Sequence, residues 1–147
     1  MGRHLGGRRF ALVLTSPLQR ARETCRLAGY GEVAQIEANL CEWDYGDYEG
    51  RTTDEIRESV PGWTIWTHPV PGGETAADVT SRLDRVVARC READRALVFA
   101  HGHSLRALAA RWIGLPVTDG RHLRLDTATI SVLGWERESA VILRWNA

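Results

Sequence analysis

Two histidines flank a glycine at His101-Gly102-His103, directly after the apolar run Ala96 to Ala100. A glycine at a strand end lets a ligand approach the backbone, and an imidazole beside it can stabilise charge or move a proton near neutral pH. A histidine that merely caps or hydrogen-bonds local backbone is the plainer alternative. Two histidines at i, i+2 without an H-E-x-x-H, aspartate or cysteine partner offer a metal little, so no metal site is expected. Thr15-Ser-Pro-Leu-Gln-Arg20 carries the second group. An arginine near the first turn of a helix can bind phosphate bidentately, unless Arg20 is simply solvated like Arg22 and Arg26.

Leu40-Cys-Glu42-Trp-Asp-Tyr45-Gly-Asp-Tyr-Glu49-Gly50 gathers four carboxylates and several aromatic rings in one glycine-punctuated loop. Crowding and burial of this kind can turn a carboxyl into a usable proton donor. The alternative is an acidic surface loop whose rings pin it to the core. Pro71-Gly-Gly-Glu74-Thr75 either brings Glu74 to the same edge or is a plain turn leading into a helix cap.

These groups need elements to hold them. Phe10 to Leu14 reads as a short strand buried on both faces of a parallel sheet. Ser16, Pro17 and Gln19 match an N-cap, first-turn proline and capping-box residue, which predicts a helix to about Ala28, stopped by Gly29. Val33 to Glu37 reads as a second strand, and Asn39 to Arg51 as a long loop. Thr53 is expected to cap a short helix ending before Pro61-Gly62, and Trp63 to Gly73 reads as another excursion. Trp63 and Trp66 suit core packing better than a lid. Thr75 caps the strongest helix, with Val79, Leu83, Val86, Val87 and Cys90 on one face and arginines and acids on the others. Ala96 to Ala100 is another buried strand, followed by a helix from about Ser104 to Ile113. Thr129 to Trp135 and Ala140 to Trp145 alternate as a hairpin.

Strands alternating with helices argue for an α/β domain with a mostly parallel sheet. Ligands in such sheets bind beyond the carboxyl ends of the strands, where Ser16 to Arg20 and His101 to Arg106 both fall. Helix N-termini there favour an anionic ligand.

The 147 residues are 44% hydrophobic and 26% charged, which suits one globular domain. Nineteen basic residues balance nineteen acidic ones, so no net positive field favours nucleic acid or an anionic membrane. Every basic residue is arginine, which excludes lysine Schiff-base chemistry and a Walker-type phosphate loop. Cys25, Cys41 and Cys90 read as buried thiols in a reducing compartment. The apolar run after Arg9 is too short for a signal sequence, so a soluble cytoplasmic protein is expected.

In their order and spacing, these segments resemble the histidine phosphatase (phosphoglycerate mutase-like) superfamily. The resemblance rests on Thr15-Ser-Pro-Leu-x-Arg20-Ala-x-x-Thr24, Leu40-x-Glu42 with Tyr45-Gly-x-Tyr-Glu-Gly50, Gly72-Gly-Glu74, and Ala100-His-Gly-His103-x-x-Arg106. The look is closest to the sedoheptulose-bisphosphatase and acid phosphatase branch. It implies a three-layer sandwich, a small phosphorylated substrate such as a sugar phosphate, and no cofactor. By the same resemblance Arg20 clamps the transferring phosphoryl group, His101 stabilises its oxygens and Glu42 protonates the leaving oxygen. Gly102 adds a backbone N–H donor, and Tyr45 and Glu74 border the substrate.

The family's nucleophile is a histidine in an Arg-His-Gly triplet ending the first strand, through which a phosphohistidine forms. No such triplet occurs in the chain; Arg3-His4 is followed by Leu5-Gly6 and has no apolar strand before it. Residues 1–147 are therefore expected to be a single domain lacking the first central strand, N-terminally truncated and nearly inactive, with exposed edges that invite a homodimer. The alternative is a pseudophosphatase that binds phosphate or a phosphorylated ligand.

Overall fold

The computed structural model describes Leu5 and residues 7–147; His4 lies outside the described residues. Strand β1 (Leu12–Thr15) leads into helix α1 (Gln19–Leu27) and the short strand β2 (Gln35–Ile36). Helices α2 (Thr53–Ser59) and α3 (Ala76–Glu92), strand β3 (Ala96–Phe99) and helix α4 (Gly102–Trp112) follow. Strands β4 (Val132–Glu136) and β5 (Ser139–Arg144) close the chain as an antiparallel hairpin. The main sheet has the order β2-β1-β3, all parallel, with Leu12 opposite Ala96 and Thr15 opposite Phe99.

Strand alternation sets the layers. Leu14 points into a core built from Val79, Leu83, Val86 and Val87 of α3 and Ala107, Leu108 and Trp112 of α4. Val13 and Phe99 point the other way, onto Cys25 of α1 and Tyr30. The sheet is thus sandwiched between α1 on one face and α3 with α4 on the other. Trp63 and Trp66 belong to the larger core, 4% and 8% exposed, which agrees with core packing.

Several local expectations give way to tertiary contacts. Helix α1 starts at Gln19 with Leu18 as its cap, because the Ser16 hydroxyl is turned inward to His101 and accepts only a 3.3 Å bond from the Leu18 N–H. Strand β2 is two exposed residues long, since it pairs along one side only. Strand β3 is buried at Phe99 but half-buried from Ala96 to Val98, because β3 forms the sheet's other edge among the described residues. Cys25 is buried, whereas Cys41 and Cys90 are partly accessible; burial still pushes the Cys90 thiol up to about 11. The arginines of α3 are not all solvated, since Arg82 and Arg89 reach across to neighbouring loops.

Candidate active site

The carboxyl ends of β1 and β3 lie side by side in register, so the segments that follow them, starting at Ser16 and His101, meet at one edge. The His101 ring is buried between Ser16 and Arg20: Nδ1 accepts from Arg20 Nε at 2.9 Å and Nε2 lies 2.7 Å from Ser16 Oγ. Because the guanidinium can only donate, Nδ1 must carry the lone pair. Nε2 then carries the proton and donates to Ser16. Neither Arg20 Nη group has a partner among the described residues, and the Gly102 N–H is likewise unengaged.

Burial, and then the Arg20 charge, hold His101 below its ordinary value, so it is neutral at pH 7. The folded state therefore takes up this proton less readily than the unfolded chain. His101 contributes stability that is fully present above about pH 6.5 and is lost as the pH falls through its depressed folded value. Thermal melts between pH 7.5 and pH 5 should show a decline that His101→Gln reduces; an unchanged slope in the variant would remove His101 as its source.

Glu42 reaches this edge from the acidic loop. Its Oε1 accepts from the Ser104 N–H at 2.8 Å and its Oε2 from the His103 N–H at 3.1 Å. Helix α4 therefore begins at Gly102, two residues before the local pattern predicts, because a carboxylate distant in sequence satisfies its free N–H groups. The Tyr45 hydroxyl shares a 2.6 Å hydrogen bond with His103 Nδ1. Burial, reinforced by the charges of Glu42 and Glu49, pushes the Tyr45 phenol well above its usual range. Burial also lowers His103, so both are uncharged at neutral pH.

Glu74 has a different neighbour. Its carboxylate forms a fork with Arg82, Nε to Oε1 at 2.6 Å and Nη2 to Oε2 at 2.9 Å, and Oε2 also accepts from the Asp44 N–H. Arg82 Nη1 donates to the carbonyls of Asn39 and Cys41 at 2.7 and 3.0 Å, and Nη2 to that of Glu42 at 3.4 Å. The loop that presents Glu42 is thus clipped onto α3. Gly46 and Gly73 allow the close approach of its far end to Pro71–Glu74, since a Cβ at either would overlap backbone of the other segment. Arg106 is also built in, donating to the Gly120 carbonyl and lying 4.7 Å from the Trp66 ring centroid. Arg82 escaped the sequence reading, because nothing local separates it from the other arginines of its helix.

Arg20, His101, Gly102, Glu42 and Tyr45 therefore converge on one strand-end edge, and Glu74 supports it through Arg82. Among the described residues no cluster of histidines, cysteines and carboxylates with the makings of a metal site occurs. No helix among them is long and apolar enough to cross a membrane.

The fold is an α/β sandwich that gathers an arginine, a histidine and free N–H donors at its strand ends. A family model for the histidine phosphatase superfamily (branch 1) matches residues 1–147, and the chain belongs to that superfamily. It is 43% identical over 137 residues to an acid phosphatase of Mycobacterium tuberculosis, covering 89% of this chain and 67% of the relative. It is 37% identical over 131 residues to the sedoheptulose 1,7-bisphosphatase of Saccharomyces cerevisiae, covering 71% of this chain and 48% of the relative. The chain thus spans about half the length of the second relative. The solved structure of an open reading frame product from M. tuberculosis superposes with a TM-score of 0.91 at 38% identity, covering 99% of this chain and 77% of that one.

Proposed function

We propose that the chain is the phosphate-binding and leaving-group part of a phosphomonoester hydrolase, with sugar phosphates as its substrate class. The observation that carries this reading is the Arg20–His101–Ser16 arrangement, which leaves both Nη groups of Arg20 and the Gly102 N–H unengaged at one edge. Phosphoryl transfer needs positioned positive charge and donors, and these groups supply them. Arg20 clamps the phosphoryl oxygens, and His101 and the Gly102 N–H share the charge that develops on them. Glu42, whose carboxylate is held against the first turn of α4, relays a proton taken from solvent to the leaving oxygen, and Tyr45 and Glu74 border the substrate side. The acid phosphatase and sugar-bisphosphatase relatives support the substrate class.

A phosphohistidine step requires the histidine of an Arg-His-Gly strand. A second reading is favoured by one observation, that no Arg-His-Gly triplet occurs in the 147 residues. Under it the protein is a pseudophosphatase that holds phosphate or a phosphorylated ligand, and its exposed Val33, Ile36 and Trp135 offer surface for a homodimer. The genomic sequence upstream separates the two, since an in-frame apolar strand ending in Arg-His-Gly is required by the first alone. Both readings predict that inorganic phosphate binds with a Kd of about a millimolar or tighter in calorimetry. Arg20→Met should weaken binding about tenfold, the value of a charge-assisted bidentate contact. No heat from the parent chain at several times that concentration would sink both.

A further inference from the structure

His103 stands one residue past the Gly102 N–H, and the phosphate-binding reading gives its side chain no task. The ring is half-buried and packs edge to face against Tyr45 and Trp66, with centroids 5.8 and 5.2 Å away. Two oxygens from the acidic loop face one nitrogen of this ring. Nδ1 lies 2.6 Å from the Tyr45 hydroxyl and 4.0 Å from Glu42 Oε2, the same oxygen that accepts from the His103 main-chain N–H. Nε2 has no partner among the described residues, and the ring lines the cavity beside the phosphate edge.

The neutral ring is held in one tautomer. The Tyr45 phenol keeps its proton, and Nδ1 is the only acceptor that its hydroxyl has among the described residues. The hydroxyl therefore donates to Nδ1, and Nε2 carries the imidazole proton. Protonation reverses this bond. A proton taken from solvent at Nδ1 makes that nitrogen a donor, so the Tyr45 oxygen must accept and its own O–H is released to another partner. The imidazolium then stands 4.0 Å from the Glu42 carboxylate. Burial and the Arg106 guanidinium, three residues along α4, oppose the charged ring, while Glu42 favours it. Tyr45 is uncharged, and Trp66, the contact from the 63–70 segment, does not titrate. The free site thus keeps the ring neutral, and one more negative charge at the edge tips the balance toward imidazolium.

We propose that His103 is a proton-linked switch of the phosphate edge: a doubly charged anion held there draws one proton from solvent onto Nδ1, and the Tyr45 hydroxyl proton turns from His103 to the ligand. This rests on the phosphate edge described under Proposed function. Because the charged ring and the anion favour each other, affinity rises as the pH falls.

Sulfate is the probe, since it stays a dianion from pH 8 to pH 5.5 and adds no titration of its own. Its affinity for the parent chain, read by calorimetry, should rise about threefold or more over that range, toward the ceiling of about tenfold that a one-unit upward shift of the His103 titration sets. Imidazole NMR signals, assigned with His103→Gln and His101→Gln, should show that shift at His103 on adding sulfate and an Nε2-protonated ring at pH 8. His103→Gln should bind sulfate at pH 8 as the parent does and lose the gain at pH 5.5, and Tyr45→Phe should let the His103 ring populate both tautomers. A gain that survives His103→Gln belongs to His101 or Glu42 and overturns the switch, as does equal sulfate binding at both pH values or an Nδ1-protonated ring at pH 8. Each of these results leaves the phosphate edge standing. If sulfate and inorganic phosphate bind at neither pH, the edge falls and the switch falls with it.

Discussion

Hydrolysis of p-nitrophenyl phosphate by the 147-residue chain should run roughly 10⁴-fold or more below that of a relative carrying the Arg-His-Gly histidine. Removing a nucleophile costs orders of magnitude because the remaining groups, however well placed, stabilise charge without offering a covalent path. In this chain His101 cannot substitute. Its Nδ1 is occupied by the Arg20 Nε–H and its Nε2 by Ser16 Oγ, so neither nitrogen is free to attack phosphorus. His103 is no better placed, since its Nδ1 is bonded to the Tyr45 hydroxyl and its ring packs against Trp66. Residual activity, where present, should be water attack on a phosphate held by Arg20. Measured release of p-nitrophenol at saturating substrate, with and without vanadate, checks this. Vigorous vanadate-sensitive turnover would mean that another residue is the nucleophile. Joining an upstream strand that ends in Arg-His-Gly should raise the rate by orders of magnitude if the phosphohydrolase reading holds.

The parts of this molecule that were legible in the sequence are those fixed by short-range rules. Thr75 caps α3 where the sequence places it, whereas α2 is capped by Thr52, one residue before the Thr53 that the local pattern offers. Val79, Leu83, Val86 and Val87 share one helix face and are all buried. The hairpin follows from alternation around a polar link. The departures have one cause. Ser16 has the sequence context of an N-cap but spends its hydroxyl on His101, 85 positions away. Helix α4 starts two residues early because Glu42, about 60 positions upstream, satisfies its first N–H groups. Motif order brought Arg20, Glu42 and His101 to attention, while their mutual hydrogen bonds depend on which strands pair, which local pattern does not encode. Arg82 was unreadable for the same reason, since an arginine among nineteen acquires a task only when folding supplies its partners.

Arg82→Met should destabilise the fold by about 3 kcal/mol, a fall in melting temperature of roughly 10 °C. The size follows from what the substitution strands. The Arg82 and Glu74 side chains are only 12% and 22% exposed, so losing the guanidinium leaves a partly buried carboxylate with just the Asp44 N–H for company. It also removes the donor from the carbonyls of Asn39, Cys41 and Glu42. An unpaired buried charge costs more than the pair was worth, so the double variant Arg82→Met/Glu74→Gln should recover part of the loss. Arg82→Lys should fall between, because an ammonium keeps the charge but cannot span a carboxylate and three carbonyls in one plane. Local effects should accompany the global one: the loop from Asn39 to Asp44 loses its anchor to α3, and amide exchange at Trp43 and at Ser104, whose N–H is capped by Glu42, should quicken beyond the global change. Urea melts of the three variants with exchange at those two amides make the comparison. A loss under 1 kcal/mol with unchanged exchange at Ser104 would show that the acid loop holds Glu42 in place without Arg82.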